Sequence, residues 1–291
     1  MCITQVAYAE LAVDDLQESV GFHTDVVGMT ELGADNNHVN LGCGVDGRLD
    51  LVLHGGGTGV RLVALEIESD EDLDRYAARL SEHGVDSELL TDPRSGVARA
   101  LRFAAPNGLA IELVLTDPGP AYLNPGQASR RAGIAPIDFD HITLKVPDPD
   151  ATVAFLTRVL GFSVSDEMRP APDTLVAAWT RVGSQHHDIA MFKGPPEQTL
   201  HHYALRLESF EHLKQAADRL GAAGIKVETG PGRHSVGGNV YLFFWTPGGN
   251  RLEFSAEMPR VGKGETKIWS ELATAFSAWG ATPPPTFGEG S

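Results

Sequence analysis

The feature that most limits what this chain can fold into is that it repeats itself. Ala7-Tyr8-Ala9-Glu10-Leu11-Ala12-Val13 reads as a strand, Asp14-Asp15 as a turn, and the apolar pattern that follows, ending at Val26-Val27-Gly28-Met29, as a helix. The same order returns as Asp140-His141-Ile142-Thr143-Leu144-Lys145-Val146, then Pro147-Asp148, then a helical stretch carrying Phe155 and ending at Val159-Leu160-Gly161-Phe162. An offset of 133 places Tyr8 on His141, Phe22 on Phe155 and Gly28 on Gly161. Agreement over so long a stretch points to a duplicated unit.

Each half holds a second unit of the same kind. Leu62-Val63-Ala64-Leu65-Glu66-Ile67 opens one, with a helix near Asp70 to His83 and a closing strand around Leu109 to Leu113. Its counterpart opens at His202-Tyr203-Ala204-Leu205-Arg206-Leu207, continues through a helix near Phe210 to Ala223 and closes on Arg251-Leu252-Glu253-Phe254. Pro106-Asn107-Gly108 and Pro247-Gly248-Gly249-Asn250 supply the turns before the closing strands. The expected organisation is an α+β chain. It has one module pair over residues 1–116, a Pro/Gly-bearing linker over 117–136, a second pair over 137–258, and a tail over 259–291. The tail should carry one helix near Lys267 to Trp279 and end in mobile residues.

Length and composition fit two domains with real cores, since 291 residues exceed the commonest single-domain size and 42% of them are hydrophobic. A formal net charge of −16 repels a phosphate backbone, which argues against nucleic acid as a partner. No basic residue precedes an apolar stretch at the N-terminus, and no run approaches the roughly 20 apolar residues that span a bilayer. A soluble cytoplasmic protein without a membrane partner is therefore expected. Cys2 and Cys43 are too few for a disulfide framework or a zinc knuckle and are read as buried thiols.

Chemistry gathers in the second pair, where His141 lies in one opening strand, His202 in the next, and Glu253 in the closing strand. Two imidazoles and a carboxylate are the set that holds a non-haem ferrous ion on one face, leaving positions for substrate and dioxygen. The aligned residues of the first half are Tyr8, Leu62 and Glu112, so no metal is expected there. His186 and His201 adjoin candidate functional positions, but strand alternation should turn them to the opposite face. His23, His38, His54, His83 and His212 fit no partner pattern and are read as solvated or capping.

Four motifs carry a resemblance. They are His187-Asp188-Ile189-Ala190-Met191-Phe192, Leu200-His201-His202, Gly230-Pro231-Gly232-Arg233-His234 and the closing Pro247 to Glu253 strand. Together they make the C-terminal half similar to the type I extradiol catechol dioxygenases of the vicinal oxygen chelate superfamily, and the repeat layout is similar over roughly residues 5 to 257. The resemblance implies four βαβββ modules of glyoxalase-like fold and metal ligation by His141, His202 and Glu253. Fe(II) is the implied ion, with Mn(II) as an alternative, and O2 the co-substrate. It further implies that His187 faces dioxygen, that His234 contacts the substrate and assists proton transfer, and that the chain is a homo-oligomer opening the ring of a small aromatic diol.

One position departs from the pattern. Where the family carries a tyrosine ten residues before the ligand glutamate, this chain has Phe243, which offers no hydrogen bond. Tyr241, two residues earlier on the same strand face, is the expected substitute. Three other functions stay open. One is cleavage of a hydroquinone, another is an isomerase or transferase using the metal as a Lewis acid, and the third is a module that sequesters a drug.

Overall fold

Each of four modules is one strand, one helix and three strands. The computed structural model describes residues 3–35, 37–44, 46–117, 132–262 and 264–291; Cys2 and most of the expected linker lie outside them. The first module is β1 (Ile3–Val13), α1 (Leu16–Gly21), β2 (Thr30–Ala34), β3 (His38–Gly42) and β4 (Leu51–Gly55). The second is β5 (Gly59–Ile67), α2 (Asp70–Glu82), β6 (Ser87–Arg94), β7 (Val97–Ala104) and β8 (Ala110–Thr116). In the C-terminal half, β9 (Asp138–Val146), α3 (Pro149–Phe155), β10 (Ser163–Met168), β11 (Ala177–Arg181) and β12 (Ile189–Lys193) form the third. The fourth is β13 (Leu200–Arg206), α4 (Phe210–Ala222), β14 (Val227–Arg233), β15 (Val240–Trp245) and β16 (Arg251–Ala256).

The helices begin where the sequence supplies an acceptor for unpaired backbone N–H groups. Asp15, Ser69, Asp148 and Ser209 each accept from a backbone N–H in the first turn. Two of the helices close in widened π-type turns ending at Gly28 and Gly161, with φ of 84° and 83°. These are the two glycines the repeat superimposes. In α2 the buried Leu73, Tyr76 and Leu80, and in α4 the buried Leu213, Ala216 and Leu220, form the stripe that packs on the sheet.

Strands join into two curled mixed sheets, ordered β2-β3-β4-β1-β5-β8-β7-β6 and β14-β15-β16-β13-β9-β12-β11-β10, the second extended by a tail strand. Opening strands pair antiparallel at each centre, β1 with β5 and β9 with β13, and each opening strand runs parallel to its module's closing strand. Modules therefore meet back to back, and the opening and closing strands face one concave surface. Buried apolar residues from both halves form one continuous cluster.

Specific polar bonds cross between the halves. Asp50 accepts from Cys43 N and Phe139 N, and Asn250 donates to the Ala12 carbonyl while accepting from Gly59 N. His23, read from sequence as solvated or capping, is buried and bonds the Tyr203 hydroxyl at 2.7 Å.

The tail departs from expectation. The stretch read as one helix is a short strand, β17 (Lys267–Trp269), laid parallel on β10, followed by a five-residue helix, α5 (Leu272–Phe276). The strand forms because β10 offers a sheet edge, a partner invisible in the local pattern. The final residues are docked rather than mobile. Thr199 N and Leu200 N donate to the Ser291 carbonyl, and Ser291 N donates to the Leu200 carbonyl. Among the described residues no helix is long and apolar enough to cross a membrane.

Candidate metal centre and substrate pocket

Register brings three donors from separate strands to one point. His202 pairs with Thr143 on β9, Ala204 with His141, and Ala204 also with Glu253 on β16, so His141, His202 and Glu253 share the concave face. His141 Nε2 and His202 Nε2 each lie 3.1 Å from Glu253 Oε2 and 3.3 Å from one another. An ion bonding each at about 2.2 Å and at right angles requires its donors about 3.1 Å apart. The spacing therefore fits one face of an octahedron, and among the described residues this is the one three-ligand cluster found.

Neighbouring groups aim the donors. Asp140 accepts from His141 Nδ1–H at 3.0 Å, which leaves Nε2 with its lone pair facing the other two ligands. Asn239 donates to Glu253 Oε1 at 3.0 Å, leaving Oε2 for the centre. His202 Nδ1 lies 2.6 Å from His201 Nδ1, and His201 Nε2 lies 2.6 Å from the Phe287 carbonyl. A carbonyl only accepts, so His201 donates through Nε2 and accepts from His202 through Nδ1.

The centre is charged to receive a cation. Burial opposes charge on His141, but Glu253 and Asp140 outweigh it and raise its pKa to about 10. Burial likewise opposes ionisation of Glu253, yet His141 and His202 hold it well below the ordinary carboxylate range. Burial dominates at His202, lowering it to about 4, so it is neutral and able to ligate. An arriving metal ion displaces the His141 proton.

His187 and His234 flank the three donors. The His187 ring centroid lies 4.3 Å from that of His141, and its Nδ1 lies 3.0 Å from His186 Nδ1. His234 donates through Nδ1 to the Phe276 carbonyl at 2.7 Å, so in the neutral ring Nε2 is the acceptor, 3.9 Å from Glu253 Oε1. Burial lowers the pKa of both rings.

Tyr241 is placed differently from the expectation. It shares a strand face with Phe243, but its ring lies flat on His234 at 4.0 Å and it does not line the cavity. Gly232 leaves space for the ring edge, where any Cβ would stand 2.5 Å from the hydroxyl. Phe243 does line the cavity, 5.0 Å from the His202 ring.

His186 and His201 also differ from expectation, since both bond the histidine that follows them. His201 turns inward because the β13 register shifts between Leu200 and His202, and such a bulge breaks alternation. His186 precedes β12 altogether. Asn239 was not singled out by sequence, although Gly237-Gly238-Asn239 follows His234 closely enough to invite attention.

In the first half the matching position is filled differently. Tyr8 donates to Glu112 at 2.8 Å, Arg102 pairs with the same carboxylate, and the Arg94 guanidinium lies over the Tyr8 ring.

The family model described as "Glyoxalase/Bleomycin resistance protein/Dioxygenase superfamily" matches residues 5–113 and 138–254. A metapyrocatechase of Pseudomonas sp. (strain CF600) is 25% identical over 261 residues, covering 86% of this chain and 85% of that protein. A manganese-dependent 2,3-dihydroxybiphenyl 1,2-dioxygenase of Geobacillus genomosp. 3 is 28% identical over 267 residues, covering 86% and 84%. Among solved structures, the anaerobic substrate complex of homoprotocatechuate 2,3-dioxygenase from Brevibacterium fuscum superimposes with a TM-score of 0.88 at 27% identity, covering 100% of this chain and 93% of that one.

Proposed function

The chain belongs to the Glyoxalase/Bleomycin resistance protein/Dioxygenase superfamily, and from that premise we propose that it is an extradiol dioxygenase. Its reaction is opening of the aromatic ring of a catechol-type diol with O2, and its ion is Fe(II), with Mn(II) as the alternative. The observation that carries the reading is the triangle of His141 Nε2, His202 Nε2 and Glu253 Oε2, with sides of 3.1 to 3.3 Å. Bound there, such an ion supplies a chelation point for both diol oxygens and a route for electrons from ring to dioxygen. Both oxygen atoms enter the ring-opened semialdehyde or keto acid, so no external reductant is consumed.

The residues then divide the remaining work. His234 accepts a diol proton at Nε2, the nitrogen its bond to the Phe276 carbonyl leaves open. Tyr241, stacked on that ring, holds its plane and acts as a positioning residue. His187, on the His141 side, would hold or move a proton on that flank of the centre. Phe243 shapes the wall beside His202 and donates nothing. The enzyme works in the cytoplasm as a homo-oligomer.

The test is anaerobic loading with ferrous or manganous ion, then measurement of oxygen uptake and of a yellow product with catechols and hydroquinones. One ion per chain and uptake with a catechol are expected. His202→Ala should abolish both; full metal occupancy in that variant would remove the ligand assignment. Retained metal with no uptake for any diol would instead favour Lewis-acid chemistry.

A further inference from the structure

The space in front of the three donors is narrow and partly open to solvent. Its polar lining is the chemistry already described, together with Thr143 and Asn239. Everything else is apolar. The body of the domain contributes Trp179, Phe192 and Val236, and the tail contributes Leu272, Phe276 and Phe287. Among the described residues no Lys or Arg lines it.

Arg251 and Lys145, both bonded to the tail beside the pocket wall, and Arg233, next to His234, already have partners. Arg251 is fully buried and pairs with Glu228 through Nε and Nη2, and it donates to the Glu289 and Thr286 carbonyls. Phe287, whose ring centroid lies 5.6 Å from that guanidinium, belongs to the pocket wall. Lys145 donates to the Gly288 carbonyl. An anionic ring substituent would thus give up water for a wall that offers it no cation.

The tail wall is built in rather than laid over. Val236 N donates to the Ala275 carbonyl at 2.9 Å, Ala278 N to the Arg233 carbonyl at 2.8 Å, and His201 bonds the Phe287 carbonyl. The Phe276 and Phe287 rings meet at 4.8 Å, edge to face. Residues distant in sequence from the donors therefore set the shape of the space beside them.

We infer that the substrate is a small catechol whose ring substituent is uncharged and apolar, and that the tail, through Leu272, Phe276 and Phe287, selects against carboxylated catechols. This rests on the diol reading above and goes beyond it by naming the substrate class. Two size-matched pairs test it, 4-isobutylcatechol against 3,4-dihydroxyphenylacetate and 3-isopropylcatechol against 2,3-dihydroxybenzoate. Each is titrated anaerobically into the metal-loaded protein by calorimetry and then assayed for ring opening. The uncharged member of at least one pair should bind about 100-fold more tightly than its carboxylated partner. Equal or tighter binding of the carboxylated members would overturn the inference while leaving the diol reading intact. Failure of all four to bind a protein that retains its metal would overturn both.

A gain-of-function variant tests the tail separately. Leu272 is 38% exposed at the pocket rim, so Leu272→Arg is tolerated by the fold and brings a guanidinium to the substituent. It should narrow the binding ratio for the isobutyl and acetate pair at least about tenfold. An unchanged ratio in this folded variant would show that the tail does not face the substituent.

Discussion

At the scale of single residues, the two histidine pairs 186–187 and 201–202 carry more than alternation along a strand allows. A regular β13 would place His201 on the outer face, but the register shift beside it turns both rings inward. The Leu-His-His motif was legible; the bulge was not, because bulging depends on what β9 offers opposite. Once both rings face in, His201 fixes which nitrogen of His202 carries the proton. Replacing it with phenylalanine keeps the volume and removes the acceptor, so His202 loses its orientation. His201→Phe should weaken metal binding about 10-fold or more, measured by competition with a chelator. His201→Gln retains an acceptor and a donor and should recover most of the loss. Equal affinities for wild type and His201→Phe would mean that His202 is held by strand packing alone.

At the scale of elements, the closing strands were read correctly because turn chemistry and period-two alternation are local properties. The tail was not, because its order comes from partners over a hundred residues earlier or from strands already folded. β17 exists only against the edge of β10, and the last turn is held by Arg251, His201 and Lys145. Phe287, buried at 5% exposure, is the apolar anchor of that turn. Phe287→Ala should release the tail rather than unfold the domain. Deleting such a ring costs about 3 kcal/mol, a factor of roughly 100 in opening equilibrium. Hydrogen exchange at the Leu200 and Ser291 amides should accelerate by about that factor, with exchange in β9 and β13 beyond Leu200 unchanged. Uniform acceleration across the second sheet would show instead that the tail is part of the domain's cooperative unit.

At the scale of the whole molecule, the duplication made the architecture readable, since glycines, caps and strand patterns recur in the same order, at an offset of 133 in the first modules and of 140 to 141 in the second. What joins the halves was not readable, since the bonding partners stand far apart in sequence. His23 is the clearest case. Its Nδ1 donates to the Ser19 carbonyl, so its Nε2 accepts from the Tyr203 hydroxyl across the junction. Burial, partly opposed by the Ser19 carbonyl, lowers its pKa to about 4 from an ordinary value near 6.5. Between those two pH values the unfolded chain binds a proton that the folded chain refuses, so stability is lost as pH falls through this window and is intact above it. The gap corresponds to about 3 kcal/mol at most. His23→Gln keeps one donor and one acceptor without titrating. The difference between urea unfolding free energies of the two proteins, which cancels protonation of the metal ligands and of every other shared group, should therefore change by about 3 kcal/mol from pH 7 to pH 4. A difference that stays constant over that range would place the acid sensitivity of the junction elsewhere.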